Sequence, residues 1–251
     1  FRKKKHHKRN RDILAIPPRL ILKCESPMVQ NPKPRRYRLI IGGLLVWAHI
    51  SAGINVHSIA PLLPLITKDY DINNATAGLL MSAVMGTLAL ASIPGVLMGT
   101  KFGLRGTFTI SWFLMGATAL SALSLNFEWL LASRIIFGLG MAIIMPTTGA
   151  LTLRWYPPKE VPLITSLNIA GLSFGMMAGM ATAAPLAELL NWEQALGLFG
   201  AIGLAGAFAW AFWGREPKEI GPTYERIGLR DVWATITQRT VLLLGFADAS
   251  C

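Results

Sequence analysis

The stretch that most constrains this chain is residues 129–152, WLLASRIIFGLGMAIIMPTTGALT, a run that is almost wholly apolar and carries one charge, Arg134. A hydrocarbon core about 30 Å thick needs roughly 20 apolar residues of helix, so this run is long enough to cross a bilayer. Arg134 is then the costly feature, because an intramembrane cation belongs against a protein interior or a wet cavity rather than lipid. Two readings of it stay open at this point. It lies about five residues, some 7 Å of rise, from the nearer end of its helix, so its head can snorkel to the interface; otherwise it faces a cavity.

A lone helix of this kind needs partners, and the composition supplies them. Hydrophobic residues make up 53% of the chain and charged residues 15%, well below the roughly 25% charged of soluble domains. The chain therefore reads as an all-α polytopic membrane protein. Charge-free runs predict helices over 39–67, 76–99, 107–125, 129–152, 161–186 and 195–213. The first is longer than one crossing requires, so it is expected to tilt or protrude. Four regions follow: a basic N-terminal tail (1–38), a six-helix transmembrane bundle (39–213), a charged linker (214–239) and the start of a seventh helix (240–251).

The net charge of +11 has one source. Residues 1–38 hold 13 Lys or Arg against Asp12 and Glu25, and the 11 basic and 11 acidic residues that remain cancel. Pro and a membrane-entry helix follow this tail at once, which argues against a nucleic-acid partner. Met28, just before VQNPKPRRYR, is expected to be the natural start, with 1–27 an extension; a genuine tail would bind anionic headgroups. Every second loop carries the basic excess, so the positive-inside rule places the N-terminus, the 2–3 and 4–5 loops and the linker on the cytoplasmic side of a cell membrane. Within the linker, 229–236 reads as a short amphipathic piece that lies on the membrane or as a solvated loop.

Other chemistries lack their residues. Cys24 and Cys251 sit at opposite ends of the chain, and no metal-ligand cluster, phosphate-cradling loop or intramembrane nucleophile constellation is present. Neither an enzyme nor a bound cofactor or metal is expected. The sequence 1–38 also lacks the apolar core and small-residue site of a cleavable signal peptide.

Gly53 to Pro61 in helix 1 and Gly138 to Pro146 in helix 4 have the same spacing, which hints at a three-helix internal repeat. Such repeats, with Gly- or Pro-interrupted helices at matching positions, point to a transporter binding site. Pro61 cannot donate to the carbonyl of His57, nor Pro146 to that of Ala142, so both are expected kink points with a freed acceptor. Gly171, Gly175 and Gly179 lie four apart and form a smooth face on helix 5 for close helix packing. Polar residues inside the helices are few: His49, Asn55 and His57 in helix 1 and Asn168 in helix 5. Each lines a cavity or satisfies neighbouring backbone, with His57 leaning to the cavity and His49 to packing. No Asp or Glu falls inside the six helices, so a proton relay would rest on His57, histidine being the side chain type suited to proton exchange near neutral pH, or on Asp248.

Several segments resemble the major facilitator superfamily. IPGVLMGTKFGLRG, residues 93–106, is similar to its helix 2–3 signature, with Lys101, Phe102, Gly103 and Arg105 matching the second half; Thr100 falls on the family's acidic position and Val96 on its leading Gly. SRIIFGLGMA, with Arg134, Gly138 and Gly140, resembles the helix 4 signature. RWYPPKE (154–160) resembles a loop seen in the nitrate, cyanate and organic-anion porters. GLSFGMMAG partly matches the antiporter signature, with Met176 in the place of Pro, and NWEQALGLFGAIGL resembles the usual entry into helix 6. The resemblance implies an N-terminal half with 3+3 inverted repeats, to be completed by a second six-helix half. It also implies secondary transport of a small solute by alternating access, with protons as a candidate coupling ion. Arg134, His57, Asn55 and Asn168 would then be cavity residues, and Lys101, Gly103 and Arg105 an inner gating loop. With one cation and no acid in this half, an organic or inorganic anion is expected. A drug/proton efflux antiporter and a non-transporting six-helix interaction protein are the alternatives.

Overall fold

The structure is a computed structural model that describes residues 35–215. Most of the basic tail, nearly all of the linker and the start of the seventh helix lie outside the described residues. Among those described, six helical spans are long and apolar enough to cross a membrane. They are span 1 (Arg36–Asp69), span 2 (Asn74–Gly99), span 3 (Lys101–Leu123), span 4 (Phe127–Trp155), span 5 (Val161–Leu189) and span 6 (Trp192–Trp213). The face bearing Arg36, Lys101, Arg154 and Arg215 is called the basic face below.

Local chemistry sets the ends. Asn73 and Asn126 accept hydrogen bonds from the backbone N–H of Thr76 (2.7 Å) and Trp129 (2.8 Å), N-caps that open spans 2 and 4. Pro162 sits in the first turn of span 5, where its missing N–H costs nothing. Spans 2 and 3 follow one another almost without a loop, and the chain turns at Gly103, in the first turn of span 3, at φ 71°, ψ 165°, a conformation that a side chain would strain. Span 6 begins at Trp192 rather than at 195, because Glu193 in its first turn suits the positive end of a helix instead of terminating it.

Span 1 is not one helix. An α-helix runs Arg35–His57, a 3₁₀ turn Ala60–Leu62 follows, and a short α-helix Leu63–Asp69 completes the crossing. Pro61 and Pro64 both lack the N–H that would continue the ladder, so the excess length expected of this helix is absorbed by a break. Span 3 also changes character, passing from α-helix into eight residues of 3₁₀ helix, Gly116–Leu123. Span 4 stays α-helical through Pro146.

The spans pack most extensively as 4 against 2 and 3, 1 against 5, and 3 against 6. Small residues make this possible. A Cβ on Gly175 or Gly179 would meet the carbonyl oxygen of Ile50 or Ile54, and one on Gly171 the side chain of Val46 (3.1 Å). On span 4, a Cβ at Gly140 would meet the Met115 N–H and the Ser111 carbonyl (both 2.6 Å), and one at Gly138 the Val84 carbonyl (3.0 Å). Lipid tails give no hydrophobic drive for helix association, so this backbone-level contact supplies the dispersion that holds the bundle. The buried apolar side chains fall into two clusters. One, toward the basic face, contains Phe108, Trp112, Phe137, Trp155 and Trp210; the other, toward the opposite face, contains Ile59, Leu62, Leu130, Trp192 and Phe199.

Candidate functional site

Where the two apolar clusters meet, the interior turns polar. Asn55 lies between Ile54 of one cluster and Val56 of the other, and Arg134 between Leu130 and Phe137. The break in span 1 prepares this place. A helix ending at His57 leaves its last four carbonyls, 54–57, without partners inside the helix, and they carry the negative end of its dipole. Ile54 O is recovered by the N–H of Ser58 (2.9 Å). Asn55 O accepts from Arg134 Nη1 at 2.8 Å.

The Asn55 side chain fixes the neighbours. Its Nδ2 donates to Ser51 O (2.9 Å) and to Phe199 O of span 6 (3.1 Å), and its Oδ1 accepts from Thr118 Oγ1 of span 3 (2.7 Å). Asn55 thereby joins spans 1, 3 and 6, while its carbonyl reaches span 4. It is 2% exposed and uses both ends of its amide on protein. Ser133, next to Arg134, faces Ser121 of span 3 at 3.4 Å.

Arg134 is the group left over. It is 1% exposed, so its head does not reach the surface of the bundle. Nε and Nη2 are buried and have no hydrogen-bond partner in the protein. An isolated buried cation costs several kcal/mol, and a helix C-terminus returns about 2 kcal/mol at best. Two donors of a guanidinium therefore face an interior that does not satisfy them. They suit a carboxylate, a phosphate or another anion, which a planar fork binds through parallel N–H bonds. His57, half-buried at the end of the first helix of span 1, has a buried Nδ1 that also lacks a partner, as does the Ser58 hydroxyl.

The other candidate residues sit elsewhere. His49 is buried and its Nδ1–H donates to Leu45 O at 2.9 Å, which ties it to its own helix. Asn168 is buried with Oδ1 unpartnered. Its neighbours place it by level: Ile164 approaches Gly42, and Gly171 approaches Val46 and Ile50. Asn168 is thus level with about residue 45 of span 1, some 15 Å of helix rise from Asn55. Lys101 is exposed, with Nζ 5.6 Å from the centre of the Phe102 ring. Arg105 is exposed and donates to Ala211 O of span 6 at 3.1 Å. Thr107 donates to Met98 O (3.1 Å), bridging the Gly103 turn. Pro61 lies in the broken segment of span 1; Pro146 lies inside span 4, and Gly95 of span 2 packs closest to Ala142 O, the carbonyl that Pro146 frees.

Sequence reasoning missed three features. Thr118, which orients Asn55, follows a Gly and an Ala in a run with no polar pattern. Gly197, Gly200, Gly203 and Gly206 line span 6 where it meets Ala119, Ala122, Trp112 and Ser51, and their spacing of three was legible. On the basic face, Arg38 pairs with Glu160, and the Tyr156 hydroxyl donates to Arg38 O at 2.6 Å. The same guanidinium lies 5.3 Å from the Tyr156 ring centre, so the 4–5 loop is strapped to the start of span 1.

Comparison with known proteins bears on most of the chain. A family model described as Major Facilitator Superfamily matches residues 45–247. "Probable anion transporter 6, chloroplastic" of Arabidopsis thaliana is 29% identical over 203 residues, 78% of this chain and 39% of that protein. "4-hydroxybenzoate transporter PcaK" of Pseudomonas aeruginosa is 29% identical over 184 residues, 73% of this chain and 41% of that one. A "Probable sugar efflux transporter" of Helicobacter pylori is 29% identical over 153 residues, 61% and 39% of the two chains. The chain thus spans about two fifths of the length of these relatives. Among solved structures, an inward-facing, occupied bacterial homolog of the human lysosomal transporter Spinster superposes with a TM-score of 0.62 at 21% identity, covering 76% of this chain and 47% of that one.

Proposed function

Because the chain belongs to the Major Facilitator Superfamily, we infer that it serves transmembrane transport of a small solute by alternating access, and that the solute is an organic or inorganic anion. One observation carries the anion reading: a fully buried guanidinium, Arg134, keeps two donor nitrogens, Nε and Nη2, without a protein acceptor at the interior break of span 1. Two relatives, a probable anion transporter and a 4-hydroxybenzoate transporter, are consistent with it. In this reading Asn55, saturated by protein partners, positions the break and its carbonyl rather than touching solute. His57 offers a further polar atom two residues on, and Arg105 with Lys101 acts where spans 2 and 3 turn at the basic face. A second six-helix half would complete the path, and spans 2 and 5, the least buried of the six, are the faces left for it. The basic excess on this face supports a cytoplasmic orientation for it, in a cell membrane, by the positive-inside rule.

Proteoliposomes carrying the protein, offered labelled 4-hydroxybenzoate, phosphate, a hexose and an organic cation, test this. Anion uptake that falls with Arg134→Ala supports it; cation-selective uptake indifferent to Arg134→Ala overturns it. Preferred movement of the hexose or of amphipathic compounds would favour the second reading, an efflux antiporter. That reading draws on the sugar efflux relative and on the backbone contact of Gly175 and Gly179 with span 1. If transport is proton-coupled, His57→Ala flattens its pH dependence; an unchanged profile removes His57 and turns attention to Asp248.

A further inference from the structure

Span 3 carries a feature that transport leaves unused. Its α-helix gives way at Gly116 to eight residues of 3₁₀ helix, longer than the three or four residues usual for that geometry. The tighter helix and the small residues Gly116, Ala117 and Ala119 withdraw side-chain bulk from the outer side of the span. A groove of 510 Å³ results, walled by Thr109, Phe113, Ala117 and Leu120 of span 3, with Ile136 of span 4 and Leu204 of span 6 on its flanks. Ile110 and Leu120 on its wall are 37% and 41% exposed. Phe113 packs edge-on against Phe208 of span 6 at 5.1 Å, which closes that side.

The lining is apolar except for the Thr109 hydroxyl, and that already donates to Arg105 O at 2.8 Å. Nothing in the groove asks for a polar ligand. Its mouth does. Arg105, Thr109, Phe113 and Ala117 follow one another at intervals of four along one face of span 3. Arg105 is exposed, and its guanidinium spends one N–H on Ala211 O, leaving other donors for a ligand. From Arg105 to Ala117 is about 18 Å of helix, close to one leaflet of a core about 30 Å thick plus part of its headgroup layer. We propose that this groove holds one acyl chain of an anionic phospholipid from the leaflet bordering the basic face, with the phosphate at Arg105. Charge complementarity at Arg105 and an uncharged slot of one-leaflet length select that occupant over a protein helix. The inference rests on the six spans crossing a bilayer and not on the solute, so its failure leaves the transport reading intact.

Native mass spectrometry of the protein exchanged into mixed micelles of phosphatidylglycerol and phosphatidylcholine reads the outcome. The wild type should retain one phosphatidylglycerol in preference to phosphatidylcholine. Ala117→Phe and Ile136→Trp, which fill the groove from different walls, should each lower retention of both lipids about 5-fold or more. Arg105→Gln should lower only the preference for phosphatidylglycerol. Retention unchanged in all three variants overturns the proposal, as does equal retention of the two lipids by the wild type. Should the filling variants fail to fold, a photoactivatable acyl chain on wild-type protein decides: crosslinks concentrated in 109–120 support the site, and crosslinks spread over spans 2 and 5 or onto a second copy of the chain refute it.

Discussion

Spans 1 and 4 carry the same spacing of Gly and Pro, Gly53 to Pro61 and Gly138 to Pro146, yet they fold differently. Span 1 breaks before its proline, and span 4 continues through it. The flanking residues account for the difference. Pro61 is followed by Pro64, which removes a second N–H one turn on. Pro146 is followed by Thr147 and Thr148, whose hydroxyls donate to Ile143 O (2.6 Å) and Ile144 O (2.8 Å) and stay within the helix. A proline thus frees one carbonyl in either span, and the next turn decides whether the helix is lost. The unbroken span 4 then presents Arg134 to the carbonyl end that the broken span 1 exposes.

The contrast between the two spans is sharpest at their glycines. A Cβ on Gly53 would meet the Leu172 carbonyl and the Met176 N–H (2.8 Å), both backbone, whereas one on Gly138 meets Thr87 Cβ (2.9 Å) and the Val84 carbonyl (3.0 Å). Gly53→Ala is expected to destabilise by about 3 kcal/mol or more and Gly138→Ala by about 1–2 kcal/mol, the upper and middle range of overpacking. Thermal unfolding in detergent gives the order, and a larger effect at Gly138 would contradict it.

Next comes the junction of the spans. Asn55→Ala removes three hydrogen bonds, one each with Ser51 O, Phe199 O and Thr118 Oγ1, a loss of about 2–3 kcal/mol; Thr118→Val removes one of the three and should cost about 1 kcal/mol. A more modest, local change separates the prolines. The double variant Pro61→Ala, Pro64→Ala should slow amide exchange at Ile59 to Leu62 as the helix heals, while Pro146→Ala leaves exchange in span 4 nearly as it was.

The smallest effect lies on the strap at the basic face. Tyr156→Phe loses one hydrogen bond, about 1 kcal/mol. Burial pushes the Tyr156 phenol above its ordinary value, against a smaller downward pull from Arg38. A phenol whose folded pKa is raised stabilises fully below its unfolded value of about 10 and loses that contribution as pH rises through the folded value. The strap should therefore be insensitive to pH from 6 to 9, roughly, and weaken only above about 10, as stability curves of wild type and Tyr156→Phe would show by converging there.

Much of this fold was legible because bilayers tolerate few designs. Six apolar runs, alternating loop charge and small-residue stripes are properties of contiguous sequence. The break in span 1 was half legible: Pro61 announced a freed carbonyl, but that Arg134 caps the neighbouring carbonyl of Asn55 depends on how spans 1 and 4 lie side by side. The role of Asn55 was hidden for the same reason, since its partners Thr118 and Phe199 lie 63 and 144 residues away. The 3₁₀ segment of span 3 left no mark, because Gly, Ala, Thr and Ser there suit several helical geometries. Arg134 stood out at once, as a cation in an apolar run, and its surroundings narrow what it does.

The most direct test of that role is Arg134→Met, a volume-conserving change that removes the charge. A buried cation with two idle donors is a poor stabiliser, so the variant should remain folded to within about 1 kcal/mol of wild type, the Asn55 carbonyl losing its partner as the desolvation cost is relieved. Anion uptake in proteoliposomes should fall about 100-fold, as expected when two hydrogen bonds to a charged group are lost at roughly 1.5 kcal/mol each. If the variant unfolds, Arg134 is a structural cap; if it folds and anion uptake persists, the guanidinium does not hold the solute.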